Sequence, residues 1–209
     1  MQRKAEKERS SKETKIKISL TIDGSGESKI NSGIGFLDHM LELFAFWGKF
    51  DLYVETKESD LKIDMHHTNE DLGIVLGQVF KEALGDKAGI NRNGFASFPM
   101  EDVTANVTVD ISGRGSYNLN VDTRQEGFSE LVDPSTEAKE HYDLTYANHF
   151  FESFAQHLGM NLNIKIDPLT PDLHATLEPV FKALGKALGE AVQIDPRRKG
   201  VPSTKGIID

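Results

Sequence analysis

The residues best suited to chemistry form a short string, His66-His67-x-x-Glu70. If this string lies on a helix, His66 and Glu70 are four residues apart and project from one face, where they can bind one ion. His67 lies about 100° further round the helix axis, so it can reach a second ion. Imidazole and carboxylate groups without thiolate suit manganese, iron or zinc, and oxygen-rich octahedral sites favour manganese. A His-His pair where a strand meets a helix can also be a simple polar cap.

A partial copy of this pattern lies further along the chain. His66-His67-Thr68-Asn69-Glu70 resembles His174-Ala175-Thr176-Leu177-Glu178, and Asp38-His39-Met40 resembles Asn148-His149-Phe150. The two offsets are nearly equal, at 174 − 66 = 108 and 149 − 39 = 110 residues. His39 alone is typical of a capping histidine, but beside repeated His/Glu helices it becomes a candidate metal ligand. The pattern therefore predicts a duplication.

Hydrophobic periodicity predicts strands followed by helices in both parts of the chain. In the first part we expect strands at residues 16–22, 52–56 and 61–65 and helices at 37–48 and 68–84. In the second part we expect strands at residues 103–111, 117–122 and 161–166 and helices at 146–158 and 175–192. The repeated order predicts an α+β fold of two similar tandem sheet-plus-helices halves, residues 1–94 and 95–209, rather than one unrepeated domain.

Composition narrows the classes of function. With 24 Lys and Arg against 33 Asp and Glu, the net charge is 24 − 33 = −9, which disfavours nucleic-acid binding but permits a small basic pocket for a phosphorylated metabolite. The chain has no cysteine, so any metal must be bound by histidine and carboxylate groups. A charged N-terminus and the lack of an apolar run of about 20 residues predict a cytoplasmic protein that does not span a membrane.

A series of motifs spans nearly the whole chain. After an opening string at residues 3–16, they are GIGFLDHML (33–41), DMHHTNEDLGIVLG (64–77), ALGDKAGINRNG (83–94), FPMED (98–102), VDISGR (109–114), FKALGKAL (181–188), DPR (195–197) and PSTKG (202–206). Together they resemble the imidazoleglycerol-phosphate dehydratase family. The resemblance implies a duplicated half-domain of the ribosomal protein S5 domain 2-like fold. It also implies dehydration of imidazoleglycerol phosphate to imidazoleacetol phosphate in histidine biosynthesis, two manganese ions per active site, and a 24-mer homo-oligomer with sites between subunits.

The resemblance carries functional roles over to matching positions. It implies that Glu13 is the catalytic acid and base. The metal ligands that it implies are His39, His66, His67, Glu70, His174 and Glu178. The phosphate ligands that it implies are Arg92, Arg114, Lys182, Ser203 and Lys205. Guanidinium, ammonium and hydroxyl groups suit phosphate oxygens, although each such residue is by itself typical of a solvated surface.

Two positions in the second half depart from the family pattern of metal ligands. Ala175 replaces the second histidine of a repeated His-His-x-x-Glu, and Asn163 replaces the histidine of an Asn-Leu-His-Ile string. If each ion takes the His/Glu pair of one half and the second histidine of the other, one ion keeps a full set of His39, His67, His174 and Glu178. The other keeps His66 and Glu70, has Ala175 and Asn163 in place of two ligands, and has His149 as a candidate compensating ligand. We therefore expect one tight manganese ion and a second that is weak or absent.

These departures leave alternatives open. The chain is either a working dehydratase or a divergent paralogue that binds a phosphorylated imidazole-like ligand without normal turnover. A purely structural oligomer is disfavoured because the phosphate-type positions remain. The polar stretch at residues 123–143 is either a surface loop or a substrate lid, and we expect surface roles for His141 and His157.

Overall fold

The structure, a computed structural model, describes residues 2–121, 142–170 and 172–208. Its first half comprises β1 (Lys4–Ser10), β2 (Lys15–Thr21), β3 (Ser28–Asn31), α1 (Gly35–Gly48), β4 (Asp51–Glu58) and α2 (His66–Leu84). Its second half comprises β5 (Asn93–Met100), β6 (Val103–Asp110), β7 (Ser116–Val121), α3 (Leu144–Leu158), β8 (Asn161–Asp167) and α4 (Leu173–Ala191). Each half therefore has three strands, a helix, a strand and a helix in the same order.

The two sheets also share one topology. The strand orders are β1-β2-β4-β3 and β5-β6-β8-β7. In each sheet the first two pairings are antiparallel and the last is parallel. The predicted α+β fold with two similar sheet-plus-helices halves is confirmed. Because β5 begins at Asn93, the boundary between residues 94 and 95 falls inside a strand, and the exact division of the chain stays a prediction.

One predicted strand is wrong. Residues 61–65 form a turn, and Ile63 on that turn is 82% exposed. The alternation of apolar and polar residues there reflects a segment that leads into α2, where Asp64 Oδ1 accepts the backbone N–H of His66 at 3.1 Å. The prediction also lacks β1, β3 and β5, which are all edge strands with many exposed residues and therefore show little hydrophobic periodicity.

The core lies between the two sheets. In β2 the buried residues Ile16, Ile18 and Leu20 alternate with more exposed ones, so a single face of the sheet is covered. Each helix packs on the sheet of its own half and on a helix of the other half, in the pairs α1–α4 and α2–α3. The helices consequently fill the space between the sheets, and the two halves share one hydrophobic core.

Two glycines allow these helix pairs to approach closely. A Cβ on Gly185 of α4 would lie 2.3 Å from the carbonyl oxygen of Phe44 on α1. A Cβ on Gly77 of α2 would lie 2.8 Å from the carbonyl oxygen of Phe154 on α3. The offsets 185 − 77 = 108 and 154 − 44 = 110 equal those of the histidine motifs. The two contacts are therefore equivalent under an approximate twofold symmetry that exchanges the halves.

The polar stretch at residues 123–143 lies mostly outside the described residues, as does His141. At its end, Tyr142 is buried, and Asp143 accepts the backbone N–H of Tyr146 at the start of α3. Within the described ranges, no helix has both the length and the apolar character needed to cross a membrane.

We expect Gly185→Ala to lower the free energy of unfolding by about 1–3 kcal/mol, the usual cost of overpacking. The added methyl group would overlap the Phe44 carbonyl oxygen and push α1 away from α4. Gly35→Ala is the matched control, because a Cβ at Gly35 meets nothing within 4 Å and alanine favours helix. Denaturant unfolding of both variants measures the effect, and equal stability of the two would contradict the close approach.

Candidate metal site

Helices α2 and α4 begin at the residues predicted to bind metal. His66 is the first residue of α2, and its backbone N–H donates to Asp64 Oδ1 at 3.1 Å. His174 lies in the first turn of α4, and its backbone N–H donates to Asp172 Oδ1 at 2.8 Å. These aspartates are equivalent, since 172 − 64 = 108. Each aspartate accepts an otherwise unpaired backbone N–H at the start of a helix. It thereby fixes the residue at which the helix starts and the position of the histidine there.

The contact between α1 and α4 assembles what we term the first His/Glu group, consisting of His39, His174 and Glu178. His174 Nε2 lies 2.6 Å from Glu178 Oε2, and His39 Nε2 lies 3.6 Å from the same oxygen. The two imidazole rings stack with their centroids 5.3 Å apart. One ligand atom from each residue lies within 4.8 Å of the other two, so the group can share one ion.

The carboxylate of Glu178 is oriented by two neighbours. Lys182 Nζ contacts Oε1, which leaves Oε2 facing the histidines. Burial by itself raises the pKa of Glu178, but the hydrogen bonds and charges of Lys182 and His174 outweigh burial and hold that pKa below its ordinary value. Glu178 is therefore ionised at neutral pH, as a metal ligand must be.

The contact between α2 and α3 assembles the second His/Glu group, consisting of His66, Glu70 and His149. His66 Nε2 lies 3.8 Å from Glu70 Oε2, and the rings of His66 and His149 have centroids 4.7 Å apart. Among the described residues, the buried Nδ1 of His149 has no hydrogen-bond partner. His149 takes in this group the place that His39 has in the first, and the structure brings its ring against that of His66.

His67 lies in neither group of its own chain but contacts two carboxylates. Its Nδ1 lies 2.7 Å from Asp60 Oδ2 and 3.8 Å from Glu13 Oε2. The hydrogen bond to Asp60, with a further contribution from the charge of Glu13, raises the pKa of His67 against the smaller opposing effect of burial. A bond from Nδ1–H to Asp60 leaves Nε2 as the nitrogen able to bind an ion or a substrate.

The two altered positions lie in different surroundings. Ala175 is buried in the first turn of α4 and offers no ligand atom. Asn163 is exposed on β8, between the buried residues Leu162 and Ile164. Because side chains alternate along a strand, Asn163 points away from the helices of its own chain and from both His/Glu groups. Of the two replacements, therefore, only Ala175 removes a potential metal ligand from the start of a helix, that of α4.

The five predicted phosphate ligands do not form one cluster within the chain. Arg92 forms a two-pronged ion pair with Asp110, at 2.6 Å and 3.0 Å, and its third contact is the carbonyl oxygen of Pro202 at 3.1 Å. That contact places Ser203 and Lys205 near Arg92, at the C-terminal end of α4. Lys182 lies nine residues before Ala191, about 14 Å away along the helix, where it contacts Glu178. The Arg114 side chain is exposed.

Asp60 is a candidate site residue that the sequence did not reveal. It precedes a segment that was predicted to be a strand, and no spacing rule connects it with His67 across that segment. Its side chain is only 9% exposed, and it also accepts a 3.4 Å hydrogen bond from Thr68 Oγ1. The turn at residues 61–65 brings Asp60 back to the start of α2, so only the fold reveals the contact. His157, by contrast, contacts the carbonyl oxygen of Ser153 and neither group.

Comparisons with known proteins point to a single family. Residues 32–188 match the model of a family described as imidazoleglycerol-phosphate dehydratase. The imidazoleglycerol-phosphate dehydratase of Pelobacter propionicus is 47% identical over 208 residues, covering 100% of both chains. That of Geobacter metallireducens is 46% identical over 206 residues, covering 99% of both. The crystal structure of the Staphylococcus aureus imidazoleglycerol-phosphate dehydratase has a TM-score of 0.75 at 31% identity, covering 92% of this chain and 99% of that one.

We expect the pKa of His67 to fall in Asp60→Asn, because the variant loses the largest contribution that raises it. In the unmodified protein the raised pKa keeps His67 protonated to higher pH, so a metal ion must compete with a proton as the pH falls. Titration of histidine-labelled, metal-free protein by NMR measures the value. Glu58→Gln, an exposed carboxylate on β4, is the control. An unchanged His67 pKa in Asp60→Asn would contradict the assigned contact.

Proposed function

The chain belongs to the imidazoleglycerol-phosphate dehydratase family, and on that premise we propose that its two His/Glu groups bind the metal ions of a working dehydratase. The family makes the chain a hydro-lyase of histidine biosynthesis, which removes water from imidazoleglycerol phosphate to give imidazoleacetol phosphate. The observation that carries the proposal is the cluster of His39, His174 and Glu178 near one helix start. At the symmetry-equivalent positions, His66 lies against Glu70 and His149.

The donors fit a divalent ion. Each group offers two imidazoles and one carboxylate without thiolate, a set that suits manganese, iron or zinc, and the family resemblance implies manganese. The buried Nδ1 of His149, which lacks a partner in the described residues, is a further sign that this group requires something to satisfy it. We take manganese as the ion. When bound, it would supply positive charge that stabilises the negative charge developing on the substrate imidazole.

His67 supports sites that form between copies of the chain. Its Nδ1 is bonded to Asp60 and its side chain is 43% exposed, so Nε2 remains for a ligand outside its own His/Glu groups. The proposal assigns His67 of one copy to the first His/Glu group of another, which gives that ion four protein ligands. The equivalent ligand for the second group would come from position 175, where Ala175 offers none. A cytoplasmic homo-oligomer is part of the same proposal.

Glu13 is proposed as the acid and base of the reaction. Dehydration takes a proton from one carbon of the substrate and a hydroxide from its neighbour, and the resulting enol becomes the ketone. The Glu13 carboxylate accepts the carbon-bound proton and can return a proton to the departing hydroxyl, so the two leave as water. The 3.8 Å contact between Glu13 Oε2 and His67 Nδ1 supports this role, because His67 links the carboxylate to the proposed site.

The phosphate of the substrate is proposed to contact Arg92, Arg114, Lys182, Ser203 and Lys205. The ion pair with Asp110 fixes the guanidinium of Arg92, and the bond to the Pro202 carbonyl ties the C-terminal segment to it. Lys205 is exposed, so its ammonium group is accessible to an anion. Lys182 contacts Glu178 and lies apart from Arg92, which fits a binding surface completed by more than one copy.

Turnover of imidazoleglycerol phosphate by the purified protein with manganese tests the proposed function directly. Glu13→Gln should lower kcat by about 10²–10⁴-fold and leave KM nearly unchanged, because it removes proton transfer but little volume. Glu8→Gln is the matched control, since Glu8 is an exposed β1 carboxylate that pairs only with Lys15 and Lys57 in the described residues. Retained kcat in Glu13→Gln would remove Glu13 from the mechanism.

The two ions should differ in affinity, because only the second group lacks a fourth ligand. After loading with manganese and extensive dialysis, elemental analysis should give nearer one ion than two per chain. His174→Ala should remove the retained ion, whereas His149→Ala should change the retained metal little. His157→Ala is the control, as His157 contacts the Ser153 carbonyl. Two tightly held ions in the unmodified protein would show that a further donor completes the second group.

A further inference from the structure

The turn that carries Glu13 is closed by its own hydrogen bonds. Ser11 N–H donates to the carbonyl oxygen of Thr14 at 2.9 Å. The Ser11 hydroxyl oxygen accepts the backbone N–H groups of Glu13 at 3.1 Å and Thr14 at 3.0 Å. These bonds fix the local shape of the turn between β1 and β2. They do not determine where the turn lies relative to α2, which carries His67.

A single carboxylate on α2, that of Asp71, fixes the position of the turn relative to this helix. Asp71, whose side chain is 9% exposed, accepts Arg9 Nε at 2.7 Å through Oδ1 and the Thr14 hydroxyl through Oδ2. Arg9 lies on β1 and Thr14 immediately precedes β2, so the carboxylate of Asp71 is hydrogen-bonded to both ends of the turn. Thr14 is 1% exposed, which means that water cannot readily replace Asp71 as its partner.

Asp71 and His67 lie on one face of α2, four residues apart. His67 faces Glu13, with 3.8 Å between Nδ1 and Oε2, while Asp71 holds the neighbouring Thr14. One face of α2 therefore determines the positions of both His67 and Glu13. A displacement of about 1 Å between reacting groups can cost about 10²-fold in rate, so an anchor of this kind has a direct kinetic value.

The approximate symmetry of the molecule shows whether Asp71 has a catalytic or a purely structural role, because the equivalent position in the second half can be compared with it. The position equivalent to Asp71 in the second half is Pro179, since 179 − 71 = 108, and proline offers no polar side chain. The position equivalent to His67 is Ala175, since 175 − 67 = 108. A carboxylate needed merely to pack a hairpin on a helix would be useful in both halves. The anchor is present in the half that has Glu13 and His67 to align.

We propose that Asp71 is a positioning residue for the dehydration, which holds Glu13 in register with His67 through Thr14 and Arg9. This inference rests on the proposed role of Glu13. Asp71 does not touch the substrate, and it acts through the buried hydroxyl of Thr14. Loss of the anchor leaves the fold and the His/Glu groups in place but allows the turn to shift, so it should lower kcat rather than KM.

The test compares Asp71→Asn, Thr14→Val and Thr14→Ser in the manganese-loaded protein. We expect the first two to lower kcat at least tenfold, with KM within twofold and metal content unchanged, and Thr14→Ser to retain kcat because it keeps the hydroxyl. Hydrogen exchange of the backbone amides at residues 11–14 should be faster in the first two variants. Asp51→Asn is the control, because Asp51 anchors a different turn through the N–H groups of Ser25, Gly26 and Glu27.

Each outcome decides between the inference and its alternatives. Faster exchange at residues 11–14 with unchanged kcat would overturn the positioning role. A loss of kcat that follows a loss of bound metal, or that Asp51→Asn reproduces, would show that Asp71 acts on the fold instead. Glu13→Gln in the same assay separates the two proposals. If Glu13→Gln loses turnover while Asp71→Asn keeps it, only the role of Asp71 is wrong.

Discussion

The close approach of helices from opposite halves is the constraint on which the rest of the structure depends. At Gly185 and Gly77 a helix backbone lies against the carbonyl oxygen of Phe44 or Phe154, with no room for a side chain. Only backbone-to-backbone packing brings α4 to α1 and α2 to α3 at this distance. Without that approach, His39 would not meet His174, and His149 would not meet His66. The metal groups are thus a consequence of how two half-cores are joined.

The metal groups lie near the N-terminal ends of α2 and α4, and this placement affects their electrostatics. The start of a helix carries partial positive charge, which disfavours a cation but stabilises a carboxylate. Glu70 and Glu178 provide a carboxylate one turn further along α2 and α4, four residues after His66 and His174. Lys182 contacts one oxygen of Glu178 and leaves the other for the histidines. The first His/Glu group therefore presents an ionised carboxylate, that of Glu178, close to a helix start whose partial positive charge disfavours a metal ion.

Duplication supplied two equivalent sites, and later divergence gave them different properties. The first half has His67, Asp71 and the Glu13 turn, whereas the second half has Ala175 and Pro179 at the positions equivalent to His67 and Asp71. In our proposal, the first half supplies the acid–base machinery, and the more completely liganded ion is bound by His174 and Glu178 of the second half together with His39 and His67 of the first. Such a division is physically reasonable because proton transfer needs one well-placed carboxylate, while charge stabilisation depends on the ions.

The sequence by itself determined the class of fold, the duplication and the central strands and helices, because periodicity and motif offsets are local properties of the chain. It also identified the His/Glu pairs, whose four-residue spacing implies a shared helix face. It misjudged residues 61–65 and missed β1, β3 and β5, three of the four edge strands in the described residues, where exposure weakens the periodic signal. The sequence also offered His149 as a ligand beside His66, and the tertiary structure brings the two rings into contact. Only the tertiary structure decided that Asn163 faces away from both groups of its chain, and that Asp60 and Asp71 contact His67 and Thr14. Those contacts join separate elements, so their geometry depends on packing that no spacing along the chain encodes.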